Sequence, residues 1–99
     1  MADCLITCIN KQNHQSAHEY ITHIGNTAGN WRLTREEAIR RIEAKTDTFY
    51  TLDSATGKRS NIGVVRENGK APFLRTYADG QWNNNLLAQP ECSSSCRII

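Results

Sequence analysis

The sequence predicts a small α+β domain of order β-β-α-β-β-β, with one helix packed on an antiparallel sheet that ends in a three-strand meander. Three observations carry this expectation. Two strand-like segments, CLITCIN and EYITHIGN, precede a single strong helix signal, WRLTREEAIRRIEAK. Three further strand-like runs follow it, TFYTLD, NIGVVRE and APFLRTYA. Short loops, SATGKRS with Gly57 and NGK with Asn68-Gly69, separate these runs, as an antiparallel meander requires, and Asp79-Gly80 makes another turn after the last. One helix cannot cover both faces of a sheet, so one face is expected to be largely solvated.

CLITCIN is β-branched and apolar, and the polar stretch KQNHQSAH interrupts it. EYITHIGN alternates Tyr20, Thr22 and Ile24 against Ile21 and His23, the period of a half-buried strand, and Gly25 closes it. The two segments are expected to pair as an antiparallel hairpin with a long loop. GNTAGN is a turn cluster. In the helix, Thr34 and Glu37 have capping-box spacing: the threonine hydroxyl accepts from the Glu37 N–H, and the Glu37 carboxylate returns to the Thr34 N–H. Leu33 and Ala38 flank the cap as a small hydrophobic staple, and Ala38, Ile39 and Ile42 share one face. The helix is expected from Arg35 to Lys45. Beyond it, Asn68-Gly69 suits a tight hairpin because both residues tolerate positive φ. Pro72 stands near a strand start, where a missing N–H is harmless. The stretch from Trp82 onward has no clear period.

Ninety-nine residues allow one domain with a modest core, expected over residues 1–92, with 93–99 a loose tail. A net charge of +2 from twelve basic and ten acidic residues excludes an acidic DNA mimic and a histone-like coat. No stretch approaches the ~18 apolar residues of a membrane span. Asp3 stands where a signal peptide is basic, and the apolar run after it is too short. A cytoplasmic protein is expected. The ending CRII fits a prenylation box poorly, because Arg97 occupies an aliphatic slot.

The four cysteines form two Cys-x-x-x-Cys pairs, Cys4/Cys8 and Cys92/Cys96. On a regular strand, residues four apart lie roughly 13 Å from each other at ~3.3 Å per residue. A single zinc ion needs its sulfurs at ~2.3 Å, so neither pair on a strand supplies two ligands. One cysteine from each end can still meet if the ends are neighbours. A disulfide ranks above metal on this spacing, although a reducing cytoplasm disfavours it. The plainest reading is a core thiol at Cys8, a packed or partly exposed one at Cys92, and incidental thiols at Cys4 and Cys96.

No grouping for nucleophilic or metal-assisted catalysis is visible. Gly-x-Ser-x-Gly and His-Glu-x-x-His are absent, and His14, His18 and His23 lie in a polar loop and the strand after it. Gly57-Lys58 and Gly69-Lys70 lack the first glycine of a phosphate loop. No enzyme, cofactor, metal or small-molecule substrate is expected. Contact with RNA or with a nucleoprotein is better supported. Arg32, Arg35, Arg40, Arg41 and Lys45 lie on the helix or its lead-in. Glu36–Arg40 and Glu37–Arg41 have the favourable i, i+4 order, so Arg32, Arg35 and Lys45 are expected to be freer. Lys58 and Arg59 add charge in a loop. Phe73, Arg75 and Tyr77 share one face of a strand, an arrangement that can stack on bases and hold phosphates. Trp82 and Asn84 are candidate docking residues, tryptophan being a favoured anchor. The structural alternative places Trp82, Leu86 and Leu87 over the core, with the asparagines satisfying turn backbone.

LITCINKQ, EYITHIG and TYADGQWNNNLLAQPEC resemble a small bacterial and phage family of unknown function. Its members share ITCINK, I-x-H-x-G and TYADGxWxNNLLxLPEC. Gln89 stands where that pattern has leucine, and the helix keeps the family's length without its wording. The resemblance implies no catalytic residues. It implies that Cys8 and Cys92 belong to the shared frame while Cys4, Cys96 and the tail do not, and that Thr76–Cys92 holds the fold's closing segment in place.

A lone domain of this size, with a phage-like relative and no enzyme grouping, is also similar to phage-encoded anti-CRISPR inhibitors of type I surveillance complexes. That resemblance implies a non-enzymatic protein of the infected bacterial cytoplasm, one that blocks a host nucleoprotein machine by occupying a surface target DNA must reach. Its partners would be protein subunits of that ribonucleoprotein and guide-RNA phosphates, met by the helix arginines. The rival expectations are an autonomous nucleic-acid-binding module and a host interaction domain.

Overall fold

Two sheets share one core, and among the described residues one helix closes it. The computed structural model describes residues 2–12, 20–53 and 55–99; His14 and His18 lie outside them. The strands are β1 (Ala2–Leu5), β2 (Cys8–Lys11), β3 (Ile21–Asn26) and β4 (Trp31–Thr34) before helix α1 (Arg35–Glu43). After it come β5 (Asp47–Leu52), β6 (Arg59–Val65), β7 (Phe73–Ala78), β8 (Gln81–Asn83) and β9 (Arg97–Ile98). One sheet has the order β1-β5-β6-β7-β8, the other β2-β3-β4-β9.

The predicted meander is present, with β5, β6 and β7 antiparallel neighbours, and β8 extends it by one strand. The predicted hairpin of the first two segments is the β2–β3 pair, in register from Cys8↔Gly25. CLITCIN, however, is two strands in two sheets. The Ile6 N–H donates to Tyr50 C=O at 2.8 Å in the first sheet, and the next N–H, of Thr7, donates to Gly25 C=O at 2.9 Å in the second. Period-two alternation fixes which face a side chain takes, and it is silent about such a change of sheet. The switch also makes β1 parallel to β5, whereas a purely antiparallel sheet was expected.

WRLT, expected as the lead-in to the helix, is strand β4 with Leu33 fully buried. Thr34 ends the strand in an extended conformation and caps α1, accepting from the Glu37 N–H at 3.2 Å. The cap is single-sided, because the Glu37 carboxylate turns to arginines instead. The helix ends at Glu43, two residues before the expected Lys45. Lys45 takes φ +60°. Its N–H reaches Ile42 C=O at 3.2 Å, and that of Thr46 reaches Arg41 C=O at 3.1 Å. These two bonds make a Schellman stop with lysine in the place glycine usually holds.

Ala38 and Ile39 bury the inner side of α1 against Ile24, Leu33, Phe49, Ile62 and Leu74, and Ile42 packs at the margin. Asp79 and Gly80 have φ of 55° and 77°, so the β7–β8 connection is a two-residue hairpin of the primed type. The expected tight hairpin at Asn68-Gly69 is a wider loop. Only Gly69 of the pair has positive φ, within a turn closed by Lys70 N–H to Glu67 C=O.

Residues 93–99 are docked where a loose tail was expected. Cys96 is buried, Arg97 N–H donates to Asn30 C=O, and Ile99 N–H donates to Arg32 C=O, each at 3.0 Å. Those bonds reach β4 and its turn, more than sixty residues earlier in the chain by numbering, so local composition does not signal them. Cys8 and Cys92 form a disulfide across a separation of 84 residues. This replaces the reading of both as free thiols. Cys4 and Cys96 remain free, and Cys96 is not the incidental tail thiol expected, being packed beside the disulfide.

Candidate nucleic-acid interface

The segment Thr76–Asn85 divides its side chains between two jobs. Alternation along β7 turns Leu74 and Thr76 inward and leaves Arg75 and Tyr77 on the outer face. Thr76 pairs with Asn83 across the hairpin, and its hydroxyl donates to Asn83 Oδ1 at 2.5 Å. Asn83 Oδ1 also accepts the Asn85 N–H at 3.0 Å. Asn83 Nδ2 and Asn85 Nδ2 both donate to the buried Ser60 Oγ, at 3.1 and 2.8 Å. Thr76 Oγ1 accepts the Leu86 N–H at 3.1 Å, which seats Leu86 in the core. Buried hydroxyls without such partners would cost on the order of 1–3 kcal/mol each. Two of the three consecutive asparagines are therefore structural. Asn84, between them, is exposed.

Trp82 faces the other way and is 47% exposed. The strand register places Tyr50, Asn61, Tyr77 and Trp82 in one row across β5, β6, β7 and β8. Tyr77 and Trp82 meet edge to face, their ring centroids 5.6 Å apart. Gly63 lies under both rings. A Cβ there would stand 3.0 Å from Tyr77 and 3.3 Å from Trp82, so the absence of a side chain lets the rings lie on the sheet.

Cations border this row. Arg59 Cζ sits 4.2 Å from the Tyr50 ring centroid. Its guanidinium donates to both Asp3 oxygens, at 2.7 and 3.0 Å, and to Asn61 Oδ1 at 2.9 Å. The Arg59 and Thr48 hydrogen bonds hold the Asp3 carboxyl below its usual range. Lys58 Nζ lies 2.7 Å from Asp79, which lowers the Asp79 carboxyl and raises the lysine. Arg75 donates to Asn83 C=O and to Asn84 Oδ1, both at 3.2 Å. Among the described residues no carboxylate forms an ion pair with Arg75. Two cations are thus matched by acids and one is not, so the face carries a mild positive excess.

Two recesses flank the aromatic ridge. One, of about 310 Å³, opens between β5 and β6 with Phe49, Ile62 and Ile42 at its floor and Tyr77, Asn61 and Arg59 at its lip. The other, of about 250 Å³, is polar, lined by Ser60, Asn83, Asn85, Gln81 and Lys58 beside Trp82.

The ten residues singled out from sequence fall into two groups. Lys58, Arg59, Arg75, Trp82 and Asn84 come together on the outer sheet face. The helix group does not join them. Arg40 and Arg41 both hold Glu37, at 2.5 and 2.8 Å, and Arg41 also reaches Asp47 at 3.3 Å. Glu36, expected to hold Arg40, is bonded to Arg35, which was expected to be freer. Arg32 is turned inward, with Nε donating to Cys96 C=O at 3.1 Å and Nη1 to Asn10 Oδ1 at 3.0 Å. Lys45 is exposed at the helix stop. Tyr50, Asn61 and Gly63 were missed as parts of the face. The alternation in TFYTLD does separate Tyr50 from the buried Phe49 and Thr51, but nothing local points it at Arg59.

His23 lies away from this face. Burial, and then the charge of Arg32, depress its imidazole pKa, and its Nδ1 lies 2.9 Å from Thr22 Oγ1. Among the described residues no helix is long and apolar enough to cross a membrane. The family model described as protein of unknown function, DUF3892, matches residues 5–90. No curated protein and no solved structure matches the chain.

Proposed function

We propose that this chain, which belongs to the DUF3892 family of proteins of unknown function, is a non-enzymatic binding protein that grips unpaired nucleotides of a nucleoprotein target through the outer face of its five-stranded sheet. The observation that carries the reading is the row Tyr50–Asn61–Tyr77–Trp82 bordered by Lys58, Arg59 and Arg75. Exposed rings stack on any base, and arginines beside them hold the linking phosphates. The ion pairs of Lys58 and Arg59 are exposed, and such pairs contribute little, so a phosphate can take the place of Asp79 or Asp3. The helix arginines, occupied by Glu36, Glu37 and Asp47, are the poorer contact surface.

Held in this way, the protein blocks its target by occupying space. The narrower identification of that target as a type I CRISPR surveillance complex, with a phage-encoded inhibitor acting in the host cytoplasm, rests on the sequence resemblance alone. Titration of labelled single-stranded oligonucleotides tests the contact. Trp82→Ala should weaken binding by about 5–150-fold, the loss of one stacked base at ~1–3 kcal/mol. Three phosphate contacts predict a log–log salt slope of roughly −2. Oligonucleotide binding that is absent at low salt, or indifferent to Trp82, sinks the nucleotide contact. Pull-down from bacterial cells, with and without Trp82→Ala, then shows whether the same face holds protein subunits instead.

A further inference from the structure

Three of the four cysteines lie in one buried cluster, Cys8, Cys92 and Cys96, exposed by 0%, 5% and 3%. Two are joined and the third is a free thiol. Burial decides which thiol can reach the disulfide. An external thiol must approach a sulfur along the S–S axis, and the fold shields both sulfurs. Cys96 is already inside. The turn closed by Cys96 N–H to Ser93 C=O at 3.0 Å folds it back toward Cys92, and Arg32 Nε fixes its carbonyl. Cys4 sits on β1 in the other sheet, and burial followed by Asp47 and Asp3 raises its thiol pKa, so it is the poorer nucleophile.

We infer that Cys8, Cys92 and Cys96 form an internal thiol–disulfide exchange site in which Cys96 displaces Cys8 from Cys92. The Cys96 thiol loses its proton, and its sulfur attacks Cys92 Sγ. The Cys8–Cys92 bond breaks, and Cys8 leaves as a thiolate that takes up the proton. One S–S bond replaces another, so no oxidant or reductant is consumed. The covalent tie across 84 residues becomes one inside a single turn. The C-terminal segment then has no covalent tie to β2, and hydrogen bonds remain, among them Cys92 N–H to Ile9 C=O and Asn10 Nδ2 to Cys92 C=O.

The test uses the full chain carrying Cys4→Ser, incubated folded at mildly alkaline pH and quenched at intervals with N-ethylmaleimide. Unreduced peptide mapping should show the label accumulating on Cys8 together with a Cys92–Cys96 linked peptide. Adding Cys96→Ala should slow Cys8 labelling by at least about tenfold, because it removes the pre-positioned nucleophile. Label confined to Cys96 with Cys8–Cys92 intact overturns the inference. So does a Cys8–Cys96 link, or equal Cys8 labelling without Cys96. If the Cys96→Ala protein does not fold, the linkage map of the Cys4→Ser protein decides alone.

Discussion

Replacing both Cys8 and Cys92 by alanine should remove much of this protein's stability. The bridge closes a loop of 84 residues. With chain entropy falling as 2.1 + 1.5R ln n cal/mol/K, that loop is worth about 4.6 kcal/mol at room temperature. A domain of this size has ~5–15 kcal/mol in total. Cys8 lies in β2 and Cys92 directly follows the Ile9↔Glu91 bridge, so the link fastens strand to strand in a region already ordered by hydrogen bonds. Alanine is preferred to serine because a buried hydroxyl would add its own cost. Urea unfolding followed by far-UV circular dichroism, on the double variant and on the intact protein with and without a strong reductant, reads the difference. The midpoint should fall by roughly 2 M, taking m near 2 kcal/mol/M. A loss below about 1 kcal/mol would mean that the entropic account of the bridge is wrong, or that the unfolded chain keeps those two segments together.

Two smaller effects follow from the helix. Lys45→Gly should raise stability by about 0.5–1 kcal/mol, the relief of a left-handed lysine less a few tenths for a cation lost near the helix end; Lys45→Val should lower it, and the same urea midpoints decide. The Glu37 carboxyl is held at about 2, against an ordinary 4.5, by hydrogen bonds from Arg40 and then Arg41. A carboxyl depressed in the folded state stabilises above its unfolded pKa and loses that contribution as pH falls through the folded one. The deficit of Glu37→Gln relative to the unaltered protein should therefore be constant above pH ~5 and shrink toward pH 2; a deficit independent of pH would refute the assignment.

Local chemistry made part of this molecule legible and left part hidden. Thr34 and Glu37 marked the helix start because capping acts over three residues. Asp79-Gly80 marked its hairpin because both residues sit at positive φ. The same local logic misplaced the helix end, since Lys45 accepts a conformation that its side chain disfavours. It also could not see the parting of Ile6 and Thr7 into different sheets, nor a sulfur bond between residues so distant in the chain. The outer sheet face shows the same division. Arg75, Lys58, Arg59 and Trp82 were recognisable as types, but their meeting depends on the register of four strands. Arg32 had the right chemistry, yet the fold spends it on the Cys96 carbonyl. Asn83 and Asn85 were legible as turn residues, but their partners, the buried Ser60 and Thr76, lie too far along the chain for local composition to name.

Asp3, which pairs with Arg59, belongs to an edge strand of its sheet, whose neighbour among the described residues is β5. Edge strands detach at a lower free energy than the interior does. Were β1 to peel away, Arg59 would lose its Asp3 partner, and the positive charge beside Tyr50 would be less compensated. On the proposed function, separating Asp3 from Arg59 at this border would strengthen the pull of the ridge on a polyanion.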